Sequence, residues 1–372
     1  MITDDELRRL AQRSVEIIAE HQDCGGAYPA SPTFPVYRYS WFRDGSFIAD
    51  AMSRAGADES ADRFFGWCAT VLNDRAERVG RLVERARRGQ PVGRDEHLPT
   101  RYTLGGVEAD EDWWDFQLDG YGAWIWALDA HLRRHHRRRD SVAPAIRTAV
   151  ALCAEYLMAF WDQPCYDWWE EHADGIHPST LASIYAGLSA VDATELGSDE
   201  LSERCRSTAS MIRDRIHSDG VRDGHLVKML GDGRVDASLI ACSTPFGAVD
   251  PMGPIAEATY HQILHDLAPD GVHRYLGDTY FGGGRWVVLA GLVGWHEVTT
   301  GRIDVGRARL EWMYNQSTPE GLLPEQVIDN CFDPTQVGVW IDKWGPVATP
   351  LLWSHAMYLI LADEIGILDN HD

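Results

Sequence analysis

Thr3-Asp4-Asp5-Glu6-Leu7-Arg8-Arg9-Leu10-Ala11-Gln12-Arg13-Ser14-Val15-Glu16-Ile17-Ile18 sets the pattern for the chain. A Thr-x-x-Glu start satisfies free backbone N–H groups at a helix N-terminus, and Leu7, Leu10, Ala11, Ile17 and Ile18 then recur on one helical face. The same periodicity predicts helices near 46–55, 59–88, 119–137, 141–161, 179–192, 198–217, 235–242, 254–267, 285–299, 303–315 and 347–366, besides the first over 4–22. Strand signals reduce to a small hairpin over 220–227 and Tyr102-Thr103-Leu104. The chain is therefore expected to be all-α, a toroid of paired helices in inner and outer rings with a pocket at one mouth. A superhelical repeat array is disfavoured, since no self-similarity recurs at a period of about 34–47 residues.

The 372 residues contain no linker or low-complexity stretch, so one domain over 1–372 is expected. A formal charge of −23 opposes nucleic acid and anionic lipid, while a neutral substrate meets no such penalty. The exception is the basic run from His131 to Arg139, read as a solvated helix end placed favourably on the macrodipole. Seven scattered cysteines in no C-x-x-C spacing oppose a disulfide framework and structural zinc. With no signal peptide and no apolar run approaching about 18 residues, a cytoplasmic protein without membrane contact is expected.

The unusual residues gather in Gly- and Pro-containing loops, where function tends to sit on a rigid scaffold. Tyr166-Asp167-Trp168-Trp169-Glu170-Glu171 places a carboxyl pair beside two indoles, and both burial and a like charge raise a carboxyl pKa. From chemistry alone the raised group is open between Glu170 and Glu171. Glu325, in Gly321-Leu322-Leu323-Pro324-Glu325-Gln326, supplies a second carboxylate far along the chain. Together they suit the acid and base of sugar hydrolysis. Arg43-Asp44 follows Tyr37 and Trp41; Asp44 reads as a helix N-cap, and the pair also offers donors and an acceptor for sugar hydroxyls over aromatic faces. Arg274, Tyr275 and Asp278 form a further polar block, with an Arg274–Asp278 ion pair as the plain reading. Asp110-Glu111-Asp112-Trp113-Trp114-Asp115 matches no calcium loop, so no metal and no cofactor are expected. Gly282-Gly283-Gly284 lacks the Lys-Ser/Thr of a phosphate loop and reads as a tight turn, and His355 reads as a hydrogen-bonded wall residue.

Tyr37–Asp44, Tyr166–Glu171, Arg274–Tyr280, Leu323–Gln326 and Leu352–Ala356 occur in an order and spacing that resemble the glucoamylase family, glycoside hydrolase family 15. The resemblance covers most of the chain. It implies an (α/α)6 barrel and an inverting, exo-acting release of glucose from the non-reducing end of an α-glucoside. By it Glu170 is the general acid, Glu325 the general base and Tyr37 a helper near the attacking water. It also places Arg43 and Asp44 in the glucose subsite, with Trp41, Trp169, Glu171, Arg274 and Tyr275 around the bound sugar. Trp113 takes the position of a substrate-stacking tryptophan, and Asp115 stands where starch-cleaving members often carry Arg. The first block begins by Tyr37, so no N-terminal β-sandwich is expected. A short α-1,6-linked oligosaccharide such as isomaltose is the expected substrate, and no protein partner is implied. The alternatives are the trehalase branch of the same family and a glycan-binding domain without catalysis. A helical terpenoid cyclase is disfavoured, because Asp112 to Asp115 lacks supporting partners.

Overall fold

The computed structural model describes residues 2–111, 113, 115–137, 139–193 and 196–368. Asp112 and Trp114 of the acidic loop and Arg138 of the basic run lie outside the described residues. Among the described residues thirteen α-helices run in chain order: α1 (Asp4–His21), α2 (Phe42–Arg54), α3 (Asp58–Asn73), α4 (Ala76–Arg87), α5 (Asp119–Arg134), α6 (Pro144–Phe160), α7 (Pro178–Ala193), α8 (Asp199–Asp219), α9 (Pro254–Leu267), α10 (Val287–Thr299), α11 (Ile303–Asn315), α12 (Thr335–Trp344) and α13 (Leu352–Ile365).

Burial sorts them into rings. α2, α5, α7, α10 and α13 are buried on nearly every side, the mark of a helix with no solvent face. α1, α3, α6, α8, α9 and α11 bury one stripe each and form the outer layer. The inner elements touch in sequence, α2 on α5, α5 on α7 and α10 on α13, and α13 packs back on α2 to close the ring. The sixth inner place, between α7 and α10, is held by a buried 3-10 segment, Ala237–Cys242. The architecture is the expected (α/α)6 toroid. α1 seals it: Thr3 and Glu6 form the capping box, and the Tyr358 hydroxyl of α13 donates to Leu7 O at 3.0 Å.

Six short strands among the described residues form three antiparallel ribbons: β1 (Ser40–Trp41) with β2 (Arg101–Tyr102), β3 (Val221–Arg222) with β4 (His225–Leu226), and β5 (Arg285–Trp286) with β6 (Gln326–Val327). The hairpin over 220–227 matches its expectation. β1, β5 and β6 were not expected, because two residues are too short to show alternation.

Several boundaries differ from the periodicity, each for a packing reason. The helix expected over 46–55 begins at Phe42 with Trp41 as N-cap, so Asp44 lies inside the first turn and is not the cap. The stretch 59–88 breaks at Asp74-Arg75 into α3 and α4, which both lie on α6. The region 235–242 is 3-10, and the last helix begins at Leu352. α12 falls in a stretch read as loop; none of its residues is buried, so it carries no full apolar face. The basic run is only partly solvated: α5 ends at Arg134, which pairs with buried Asp50 at 2.7 Å, and His131 is enclosed between Ser53 and Asp62.

The inner helices approach closely where α5 and α7 cross, with Gly122 facing Gly187. A Cβ at Gly187 would stand 2.6 Å from the Gly122 carbonyl oxygen, and one at Gly122 would stand 2.4 Å from Ser183 O. Gly187→Ala is expected to lower stability by at least the roughly 1–3 kcal/mol typical of overpacking, read as a lower urea midpoint with an unchanged slope.

Candidate active site

Apart from the added helices α4 and α12, outer and inner elements alternate along the chain, so every connection from an outer element into the next inner one ends at the same face of the ring. Five of those six connections, with the first turns they enter, line one cavity of about 410 Å³. Tyr37, Trp41, Arg43 and Asp44 come from the approach to α2, Trp113 from that to α5, and Tyr166 with Trp168 to His172 from that to α7. Arg274, Tyr280 and Trp286 precede α10, while Glu325, Trp340, Trp344 and Trp353 come from the approach to α13 and its first turn. The volume suits a small-molecule site. Inner-helix N-termini point toward this mouth, and their partial positive charge favours anionic groups there.

Glu170 sits in a tight turn with φ of +65°, a left-handed conformation a glutamate adopts at some cost. Its Oε1 accepts from Trp41 Nε1 and its Oε2 from Trp113 Nε1, each at 2.6 Å. Burial raises its pKa to about 7, against the opposing pull of Arg43 and the two indoles; the neighbouring like charge that adds to the rise is Asp44. Sequence pointed instead to Glu171 as that like charge. The Glu171 carboxylate is engaged elsewhere: Arg274 Nη2 lies 3.3 Å from Oε1 and the Tyr275 hydroxyl donates to Oε2.

Glu325 is 2 % exposed. Its backbone N–H donates to Ala348 O at 2.9 Å, and the next residue, Gln326, pairs with Trp286 in the β5–β6 ribbon. The tight turn at Gly282-Gly283 leads into that ribbon, with both glycines at positive φ. Burial raises Glu325 to about 7, opposed by the Tyr37 hydroxyl and the Arg274 guanidinium. The Tyr37 and Tyr280 hydroxyls lie 2.8 Å apart, and burial together with the Glu325 charge holds both phenols well above their usual pKa, so both remain protonated.

Arg43 Nη1 donates to Gln117 Oε1 at 2.9 Å and pairs with Asp119 at 3.0 Å, which leaves its Nε edge 3.4 Å from Asp44 Oδ2. Burial raises Asp44 to about 6, against the attraction of Arg43. Arg274 is held by Asp278 through Nε at 2.7 Å, so the ion pair expected from sequence exists and serves to aim the guanidinium at the cavity wall. The structure thus brings Tyr37, Trp41, Arg43, Asp44, Trp113, Trp169, Glu170, Glu171, Arg274 and Glu325 to one cavity; Tyr275 lies behind its wall, against Glu171. Sequence reading missed Tyr280 and the α12 pair Trp340 and Trp344. Trp344 stacks on Trp113 with ring centroids 6.0 Å apart. The i,i+4 spacing of the α12 tryptophans was the available signal.

Fold and site define an (α/α)6-barrel glycoside hydrolase. Residues 7–289 match the family model described as glycosyl hydrolases family 15, and the chain belongs to that family. It is 46 % identical over 365 residues to the isomaltose glucohydrolase of Kribbella flavida, covering 97 % of this chain and 94 % of the relative. A glycosidase variant solved in complex with glucose is 44 % identical, with a TM-score of 0.95 over 98 % of both chains. The trehalase of Mycolicibacterium smegmatis is more distant, 28 % identical over 258 residues that span 64 % of this chain and 36 % of that protein.

The Glu325 loop is tied to the inner ring by α13. Leu323 N donates to His355 Nε2 at 3.0 Å, which leaves Nδ1 as the donor to Ser14 Oγ at 2.8 Å, while Ser354 Oγ donates to Pro324 O at 2.7 Å. Burial, aided by the charges of Arg13 and His21, pushes His355 down to about 3. Between that value and the ordinary histidine pKa of about 6.5 the unfolded chain binds a proton that the folded chain does not. The contribution of His355 is therefore complete above about pH 6.5 and drains away as pH falls toward 3. His355→Gln keeps a donor and an acceptor, and is expected to flatten the fall in unfolding free energy from pH 7 to 4 by about one bound proton, measured by urea unfolding at each pH.

Proposed function

We propose that this chain is a single catalytic unit, an inverting exo-α-glucosidase that releases β-glucose from short gluco-oligosaccharides, with isomaltose as the preferred substrate. The observation that carries it is the pair of enclosed carboxyls, Glu170 and Glu325, both raised to about 7 in one aromatic-walled cavity. Enclosure favours the protonated form a general acid needs, and the donors around the second carboxyl favour the ionised form a general base needs.

Glu170 gives its proton to the glycosidic oxygen as the bond from the anomeric carbon to that oxygen breaks. A water attacks the anomeric carbon from the other face and loses its proton to Glu325. The Tyr37 and Tyr280 hydroxyls, fixed on each other, orient Glu325 and that water. Arg43 and Asp44 grip the hydroxyls of the terminal glucose, with Trp41, Trp113 and Trp169 as ring faces. Glu171, set by Arg274 and Tyr275, belongs with the leaving sugar. The roof of Trp113, Trp340 and Trp344 favours a short leaving group over a polymer, in keeping with the α-1,6 disaccharide named for the Kribbella relative. Seven free cysteines, five of them buried, suit a reducing cytoplasm, and no helix among the described residues is long and apolar enough to cross a membrane.

Glu170→Gln and Glu325→Gln should each lower kcat on isomaltose by roughly 10²–10⁴-fold with unchanged circular dichroism. Proton NMR of the first product should show β-glucose, and α-glucose appearing first would overturn inversion. Among isomaltose, maltose, trehalose and soluble starch, kcat/KM should be highest for isomaltose. A preference for maltose of about tenfold, or 1.4 kcal/mol, would remove the linkage assignment.

A further inference from the structure

Behind the acid-bearing turn lies a buried charge cluster that the reaction itself does not touch. Lys228, Asp167 and Asp236 are 3 %, 3 % and 1 % exposed. Lys228 follows β4, in the one outer-to-inner connection that supplies no wall residue to the cavity. Its Nζ donates to Asp167 Oδ2 at 2.9 Å and to Asp236 Oδ2 at 2.6 Å, and lies 3.9 Å from the centroid of the Tyr275 ring.

Each of these contacts leads to the acid. Asp167 Oδ1 accepts the backbone N–H groups of Trp169 at 3.0 Å and Glu171 at 2.9 Å, the residues on either side of Glu170. That carboxylate clamps the turn in which Glu170 takes its left-handed backbone. Asp236 Oδ2 also accepts Trp169 Nε1 at 2.9 Å, and Tyr275, under the ammonium, donates to Glu171. Asp167, Glu171 and His172 come close enough together to suggest a cation site. The ammonium of Lys228 already serves Asp167 Oδ2, joined by His172 Nδ1 at 3.1 Å, while Arg274 and Tyr275 hold Glu171.

We propose that Lys228 is a positioning residue for proton transfer: its buried ammonium fixes Asp167 and Asp236 so that the turn and the indole beside Glu170 aim the carboxyl at the leaving oxygen. A buried ion pair of this kind is a weak source of stability, since apolar substitutes are often neutral or better. Its value lies in the geometry it dictates. Asp167 illustrates the coupling, since burial raises its pKa while Lys228 and His172 outweigh that and hold it well below the usual carboxylate range.

The inference rests on Glu170 as the acid, and the test separates the two. Lys228→Met keeps length and removes charge, and kcat is measured on isomaltose and on α-glucosyl fluoride, whose fluoride departs with little protonation. A misplaced acid should cost about 10²-fold on isomaltose, and less than about tenfold on the fluoride, where acid assistance matters little. Lys228→Arg should recover part of the isomaltose rate. The ratio of the two rates does not depend on how much protein folds. Should Lys228→Met fail to fold, Lys228→Met with Asp236→Asn, which removes one charge of each sign, is read the same way. Glu170→Gln on the same two substrates is the control. If it spares the fluoride and Lys228→Met slows both substrates equally or neither, the positioning role is overturned. If Glu170→Gln itself slows both equally, it is the acid assignment that falls.

Discussion

A closed ring of parallel inner helices, each joined through an outer helix that runs the opposite way, constrains everything else in this protein. α13 must return to α2, so the inner helices have no solvent face and their residues pack as a dry core. Alternation of outer and inner elements then sends every outer-to-inner connection to one mouth. Side chains separated by nearly 300 residues of sequence, Glu170 with Tyr37 and Glu325 among them, meet because each is carried to that face. The ribbons β1–β2 and β5–β6 pin the loops at the point where α2 and α10 begin, with Trp41 and Trp286 as matching N-caps.

The site that results is held against its own electrostatics. Burial raises Glu170, Glu325 and Asp44 alike, and each is met by donors that restrain the rise. The donors are rigid indoles, phenols fixed on one another and guanidinium groups tied to carboxylates outside the cavity. Such pre-set dipoles need little reorganisation when charge develops, the property that makes an enclosed polar site effective. The left-handed backbone at Glu170 belongs to the same account, since the Asp167 carboxylate accepts the N–H groups on both sides of it and backbone bonds between Asp167 and Glu170 and Glu171 close the turn.

Behind the wall, support comes from groups that never meet the sugar. His355 and Ser354 hold the backbone of the Glu325 loop, Asp278 aims Arg274, and Asp119 with Gln117 anchors Arg43. The 3-10 segment in the sixth inner place shortens that side of the ring, and the space beside it holds the Lys228 cluster under Trp169 and Tyr275. α12 is the counterpart on the solvent side, an added helix whose tryptophans reach over the cavity toward Trp113.

Periodicity alone located most of the helices, because an amphipathic or wholly apolar face repeats every 3.6 residues whatever it packs against. The clustering of indoles beside Glu170 and Glu171 marked that carboxyl pair locally, whereas Glu325 stood out only once its Gly-Leu-Leu-Pro lead was joined to the family resemblance. What the sequence could not carry was any property set by a distant partner. α12 was hidden because a helix with no buried face leaves no clear stripe, and β1, β5 and β6 because two residues cannot alternate. Asp44 reads locally as a cap, yet the start of α2 is fixed by the ribbon that Trp41 makes with Arg101, which turns Asp44 inward. Nothing local marks Lys228, just past the hairpin; the ring places Asp167 and Asp236, 61 and 8 residues away, against its ammonium. Local sequence determined which segments are helical and narrowed the first carboxyl to Glu170 or Glu171, while the choice of Glu170 and of Glu325 came from the family resemblance. Tertiary structure alone decided their pKa values, their donors and their supports, because burial and Coulomb interaction depend on neighbours in space.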